Sequence, residues 1–210
     1  MTGVFVVLEG PEGAGKTTLA RYLAERLRAA GIEPVLVREP GGTTAAEALR
    51  AELLHDEREW TPEAELLYIA AARADLVAKV IRPALTSGRM VLSDRYDLST
   101  HAYQVAGRGL PEPQVAWVNR AATGGLTPRL TLVLDVPPAV GRERQLGSGK
   151  AQDRLDREGE AFHERVAQAY RAATGPGIVH LDATQRPDQL GDAAWQAVVR
   201  ACPDLVGATV

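Results

Sequence analysis

The sequence holds little of several things that would point elsewhere. Cys202 is its only cysteine in 210 residues, so no intrachain disulfide can form. A small buried or surface thiol is a plainer expectation for it than a catalytic one. The formal net charge is −3, which argues against a general binder of nucleic acid or of membrane surfaces and leaves room only for a local basic site. No apolar run approaches the ~20 residues that a membrane-spanning helix needs. No basic segment or cleavage-site pattern precedes the first apolar run. These absences point to a cytoplasmic protein. Internal repeats, low-complexity tracts and interdomain linkers are missing too, and 210 residues suffice for one domain with a full core. A single domain over 1–210 is expected.

Lysine is scarce as well, with three against twenty-one arginines, so the position of one lysine carries information. Lys16 closes the stretch Gly10, Pro11, Glu12, Gly13, Ala14, Gly15, Lys16, Thr17, Thr18, which fits the phosphate-binding pattern G-x-x-x-x-G-K-[ST]. The apolar run Val4 to Leu8 precedes it, and Leu19, Leu23 and Leu27 follow at helical spacing. Glycines let successive backbone N–H groups turn toward phosphate oxygens, and the helix start adds unpaired N–H groups. In such a loop Lys16 reaches the β- and γ-phosphates of a nucleotide and the Thr17 hydroxyl ligates Mg²⁺.

Four further short apolar runs read as strands: Pro34 to Val37, Met90 to Ser93, Leu130 to Leu134 and Ile178 to Leu181. Continuous rather than alternating apolar character predicts parallel strands covered on both faces. Helical patterns lie between them, the longest from about Pro62 to Arg82. The expected fold is α/β: a five-stranded parallel sheet with helices on both faces, of the P-loop NTPase type, and ligands at the carboxyl ends of its strands. Leu146 to Gln152 reads as a Gly/Ser loop, and the tail after Pro203 as loosely held.

Polar residues gather where this topology puts a site. The second strand runs into Arg38-Glu39-Pro40-Gly41-Gly42-Thr43, either a binding loop or a plain turn. The third runs into Asp94 and Arg95. Asp94 is placed to hold Mg²⁺ or its waters, and Arg95 to clamp a phosphate bidentately; a surface ion pair is the alternative. Thr100, Tyr103 and Gln104 share a helical face that could hold a planar base and its sugar, or could equally be a polar helix surface. Arg142, Arg144, Lys150, Arg154 and Arg157 lie in or beside the Gly/Ser loop, either in a lid of about residues 143–158 that closes over phosphates or as basic residues scattered on a solvated helix.

Together these segments resemble the bacterial thymidylate kinases. The resemblance runs from about Val4 to Gln185. It is carried by Glu9 to Thr18, Arg38 to Thr43, Ala71-Ala72-Arg73, Asp94 to Gln104, Gly107-Arg108-Gly109, Asp153 to Asp156 and Asp182 to Gln185. It implies that ATP·Mg²⁺ phosphorylates thymidine 5′-monophosphate (dTMP), and it implies a homodimer. By the same resemblance Arg95 grips the acceptor phosphate, Arg73 and Gln104 bond the thymine with Thr100 nearby, Tyr103 lies under the deoxyribose, and Glu39 organises the acceptor end. Some members carry an arginine in the P-loop, and others supply it from the lid. With Glu12 and no arginine in its loop, this chain resembles the second group, which makes Arg154 the expected lid arginine. A nucleotide kinase with another acceptor is the nearest alternative. A GTPase-type switch would need an N-K-x-D-like motif, which the sequence lacks.

Overall fold

The computed structural model describes residues 3–55, 59–147, 149 and 152–203. Five strands form one parallel sheet: β1 (Phe5–Glu9), β2 (Val35–Arg38), β3 (Val91–Asp94), β4 (Leu130–Asp135) and β5 (Ile178–Asp182). Their spatial order is β2-β3-β1-β4-β5. All neighbouring pairs are parallel, with Leu8 opposite both Asp94 and Leu132. The helices described are α1 (Lys16–Ala29), α2 (Thr44–Leu54), α3 (Pro62–Leu76), α4 (Arg82–Thr86), α5 (Asp97–Thr100), α6 (Glu112–Thr123), α7 (Pro138–Gly147), α8 (Glu160–Ala172) and α9 (Pro187–Ala201). Two π-helical segments, Val77–Ile81 and His101–Gly107, continue α3 into α4 and extend α5.

The pleat sorts the central strands between two cores. Val6 and Leu8 of β1 join Leu130, Leu132 and Leu134 of β4 against Leu19, Leu23 and Leu27 of α1 and the inner face of α9. Phe5 and Val7 face the other way, onto Leu76, Val77 and Ile81. Val133 of β4 packs on that second side with Tyr103, Phe162, Val166 and Tyr170. This two-sided burial is the physical reason these runs lack polar alternation. Cys202 lies buried in the first core.

Three expectations shift. Each strand ends one residue past its apolar run, and β1, β2 and β3 also begin one later, so that Glu9, Arg38, Asp94, Asp135 and Asp182 end the five strands. Their side chains are polar because the carboxyl edge of the sheet is where ligands sit, while their backbones still join the ladder. Second, β2 and β5 are edge strands and only partly covered, with Leu36 43% exposed. Third, Leu146 and Gly147, expected in a loop, belong to α7. Ser148, Lys150 and Ala151 of that loop, and the tail from residue 204, lie outside the described residues. No described helix is long and apolar enough to cross a membrane.

Candidate active site

The loop between β1 and α1 passes under the carboxyl ends of β3 and β4. Gly10, Gly13 and Gly15 all have positive φ, and a Cβ on Gly13 would collide with the Gly141 carbonyl of α7. The loop therefore requires glycine there on two counts. Lys16 is 7% exposed, and its Nζ donates to the carbonyls of Gly10 (2.9 Å) and Pro11 (2.8 Å). Burial, and then the like charge of Arg95, lower its pKa from 10.5 to about 8. Thr17 Oγ1 donates to Asp94 Oδ2 at 2.8 Å, joining the loop to the end of β3.

The cleft in front of this loop has a volume of about 740 Å³, within the range of nucleotide-sized sites. Beyond the loop it is lined by Arg144, Gln185 and Leu190, among others. A second, smaller cavity of about 80 Å³ lies behind it. Leu53, Leu54, Ile69 and Leu155 supply apolar walls, and Arg73, Thr100, Tyr103 and Gln104 supply polar ones. Glu12, Glu39, Arg50, Arg95 and Asp153 line both cavities, so the two spaces share a charged wall.

Arg95 stands in that wall with φ of 77°, an uncommon conformation for a residue with a side chain. Nη2 donates to Glu12 Oε1 at 2.5 Å and to Tyr103 Oη at 3.3 Å. Nη1 donates to Ser99 Oγ (3.1 Å), Tyr170 Oη (3.0 Å) and the Gly10 carbonyl (3.2 Å). Behind it sits Glu9, fully buried. Its Oε1 accepts from the N–H groups of Tyr96 (2.8 Å) and Ser99 (3.1 Å). Its Oε2 accepts from Ser99 Oγ (2.6 Å) and Tyr170 Oη (3.2 Å). Burial pushes the Glu9 carboxyl up from its ordinary value. The carboxylate thus anchors the backbone on the far side of Arg95 and the two hydroxyls that hold its guanidinium.

Arg73 is 2% exposed. Its Nε donates to Glu39 Oε2 at 2.6 Å, Nη1 to Thr100 Oγ1 (2.8 Å) and Asn119 Oδ1 (2.6 Å), and Nη2 to the Tyr96 carbonyl (2.9 Å). Four of its five N–H groups are therefore spent on protein. Burial raises Glu39 to about 7 against the pull of Arg73, and Glu39 Oε1 is buried without a hydrogen-bond partner. Gln104 Nε2 donates to Glu65 Oε1 at 2.9 Å, and Gln104 Oε1 likewise has no partner.

The structure brings together nearly all the residues singled out from sequence. The P-loop, Thr17 and Asp94 meet at the larger cleft; Glu39, Arg73, Thr100, Tyr103 and Gln104 line the smaller one; Arg95 lies between. Thr100, Tyr103 and Gln104 meet through a change from α- to π-helical winding after Thr100 rather than on one regular α-face. Arg154 stands apart. Its Nη2 donates to Glu65 Oε2 at 2.6 Å and its Nε to the Leu53 carbonyl at 3.1 Å, away from the P-loop. Arg144, not Arg154, lines the phosphate cleft, with Nη1 donating to the Ala183 carbonyl at 2.8 Å. Arg142 reaches Glu160, and Arg157 Nη2 donates to the Gln152 carbonyl. Sequence reading missed Glu9, Ser99, Tyr170, Arg50, Glu65 and Asn119 as parts of the site. Glu65 had one signal, an acid set directly against the apolar pair Leu66 and Leu67. Tyr170, on a distant helix, had none.

A P-loop cleft sharing a charged wall, with Arg50 and Arg95 in it, with a second ligand pocket defines a class: P-loop enzymes that move a phosphoryl group between two bound molecules. Comparison with known proteins narrows this. The family model for thymidylate kinase matches residues 8–193, and the chain belongs to that family. It is 52% identical over 189 residues to a thymidylate kinase of Pseudomonas fluorescens Pf-5, covering 88% of this chain and 90% of that protein. It is 47% identical over 209 residues to one of Pseudomonas putida GB-1, covering 96% and 99%. A third, from Thermomicrobium roseum, is 48% identical over 197 residues, covering 92% and 93%.

Proposed function

We propose that this chain transfers the γ-phosphoryl group of ATP to thymidine 5′-monophosphate, giving dTDP and ADP. Beside the family membership, one observation carries the reading: the phosphate cleft and the smaller pocket share Arg95, Arg50 and Glu12 in a common wall. A donor in one and an acceptor in the other would bring their phosphates together at these side chains.

In this reading the acceptor's attacking atom is a phosphate oxygen already ionised near neutral pH, so no side-chain base has to remove a proton. Catalysis is then positioning and charge stabilisation. Lys16 Nζ would exchange its two carbonyl partners for the β- and γ-phosphates, and the P-loop N–H groups would supply fixed dipoles. Arg95, fixed by Ser99 and Tyr170, would grip the acceptor phosphate. Thr17 and Asp94 offer hard oxygens 2.8 Å apart beside the loop, a donor set that suits Mg²⁺. When bound with ATP, Mg²⁺ supplies charge neutralisation on the phosphates. Arg154, arriving from its seat on Glu65, would add the lid cation.

Gln104 Oε1 and the remaining N–H of Arg73 would face the thymine edge, and Tyr103 the sugar. Leu155 and Asp153, from the segment after α7, also line the acceptor pocket. Leu67 (58% exposed) on α3 and Trp117 (71% exposed) on the packed helix α6 support a homodimer face. A cytoplasmic setting fits the charge and the lack of a membrane-spanning helix among the described residues. A coupled ADP-release assay with ATP·Mg²⁺ and dTMP tests the reaction.

A further inference from the structure

The acceptor pocket holds a buried amide with one end committed and the other open. Gln104 is 0% exposed; its Nε2 meets Glu65, and its Oε1 has no partner. Gln104 lines the pocket, whereas Glu65 stands behind it on α3, itself 0% exposed and outside the lining. Glu65 accepts four hydrogen bonds. Oε1 takes Gln104 Nε2 (2.9 Å) and Arg108 Nε (3.0 Å). Oε2 takes Arg108 Nη2 (2.9 Å) and Arg154 Nη2 (2.6 Å). Burial raises the pKa of this carboxyl, but donation from the two arginines and Gln104 outweighs it, and the net shift is downward. An ionised carboxylate accepts and cannot donate. Were the amide to turn over, its oxygen would oppose the Glu65 carboxylate in a buried space, and its NH₂ would lose its partner.

We infer that Glu65 is a specificity-positioning residue: by accepting from Gln104 Nε2, it fixes the amide so that an acceptor, and not a donor, faces the base of the bound nucleotide. The inference rests on the reading that the acceptor's base lies against Gln104. Thymine offers N3–H, which the unpartnered Oε1 can accept. Cytosine has a lone pair at N3, so two acceptors would meet there, the kind of mismatch that a hydrogen-bonding site rejects strongly. Uracil also carries N3–H, so Glu65 does not act on the choice between thymine and uracil. A glutamine at position 65 could present either end of its own amide, and Gln104 would no longer be held one way round.

The test compares kcat/KM for dTMP, dUMP and 5-methyl-dCMP in the wild type, Glu65→Gln, Gln104→Ala and the double variant. 5-Methyl-dCMP keeps the methyl group and sugar of dTMP and differs only at the 3- and 4-positions. In Glu65→Gln the preference for dTMP over 5-methyl-dCMP falls at least about tenfold, while dTMP over dUMP stays within about twofold. Gln104→Ala loses the same preference, and adding Glu65→Gln to it changes the preference no further. If Gln104→Ala collapses the preference and Glu65→Gln leaves it intact, the role of Glu65 is overturned while the base contact stands. If Gln104→Ala leaves it intact, the base-contact reading falls and this inference with it. A second measurement needs no substitution at Glu65. In the folded, ligand-free wild type, the side-chain NH₂ signals of Gln104, identified by their loss in Gln104→Ala, exchange slowly with deuterated water. Exchange at the rate of an exposed amide overturns the inference.

Discussion

Arg154 Nη2 lies 2.6 Å from Glu65 Oε2, in a contact that ties the segment after α7 to the helix beneath the acceptor pocket. Its second bond, Nε to the Leu53 carbonyl, ties the same segment to α2. The cation expected at the γ-phosphate is thus parked on the acceptor side, 14% exposed and paired. Moving it to the donor phosphates would exchange a carboxylate partner for a phosphate anion, both of which arginine binds by charge-assisted hydrogen bonds.

Arg154→Ala is expected to lower kcat at least about 100-fold with little change in the Kd for ATP, because a lid arginine acts on charge that develops in the transition state. Single-turnover rates and equilibrium nucleotide binding separate the two quantities. A kcat near that of the wild type would move the role to Arg144, the arginine that already lines the cleft.

Lys16 predicts a pH signature. With its pKa lowered to about 8 by burial and Arg95, the ligand-free protein loses this charge as pH rises through that value. kcat/KM for ATP, which reports the free enzyme, should fall about tenfold per unit above it. In the kcat profile the fall should come at higher pH, because bound phosphates favour the protonated amine. The sign for folding is opposite. Between about 8 and 10.5 the unfolded chain holds more protons at this site, so this contribution to stability grows with pH. Coincident profiles for kcat and kcat/KM would contradict the assignment.

Asp94 predicts a metal effect confined to the donor. Its Oδ2 accepts from Thr17 Oγ1, the proposed metal-ligating hydroxyl. Asp94→Asn should raise the Mg²⁺ concentration for half-maximal rate at least about tenfold and leave the KM for dTMP little changed. A Mg²⁺ titration superimposable on that of the wild type would remove Asp94 from the metal network.

Tyr103 predicts sugar selection. Its ring is buried against Phe162 and Tyr170, and its hydroxyl donates to Glu12 Oε1 at 3.1 Å, so the ring is held on three sides. A rigid wall of this kind can reject an added 2′-hydroxyl, which a yielding one cannot. Tyr103→Ala should narrow the preference for dTMP over its ribose counterpart at least about tenfold, along with a general loss of rate. An unchanged ratio of kcat/KM values would leave sugar choice to other residues.

What could be read from sequence follows how local each signal is. The P-loop is nine consecutive residues whose types are set by one task, and the five strands announce themselves as apolar runs. Asp94 and Arg95 were legible because they follow such a run directly. The strand ends were misjudged by a residue because polar side chains there serve the ligand edge while their backbones stay in the ladder. The half-exposed edges β2 and β5 follow from strand order, which composition does not record. The π-helical turns at Val77–Ile81 and His101–Gly107 span only five and seven residues, too short to break a 3.6-residue pattern visibly. The network of Glu65, Arg108 and Arg154 joins three distant segments, and Glu9 meets Tyr170 across 161 positions. Their sites of contact are decided by tertiary packing alone. The position of Arg154 belongs with these: its motif could be recognised, but the carboxylate it rests on could not.

The most direct test of the account is a coupled ADP-release assay with ATP·Mg²⁺ and a panel of acceptors: dTMP, dUMP, UMP, CMP and dGMP. The account predicts strong turnover with dTMP, weaker turnover with dUMP, and little with the others. Preferred turnover of CMP would contradict the pairing of Gln104 Oε1 with an N3–H donor, and preferred turnover of dGMP would contradict the reading of the pocket as a pyrimidine site. An absence of turnover with every acceptor would contradict the kinase reading of the shared wall itself.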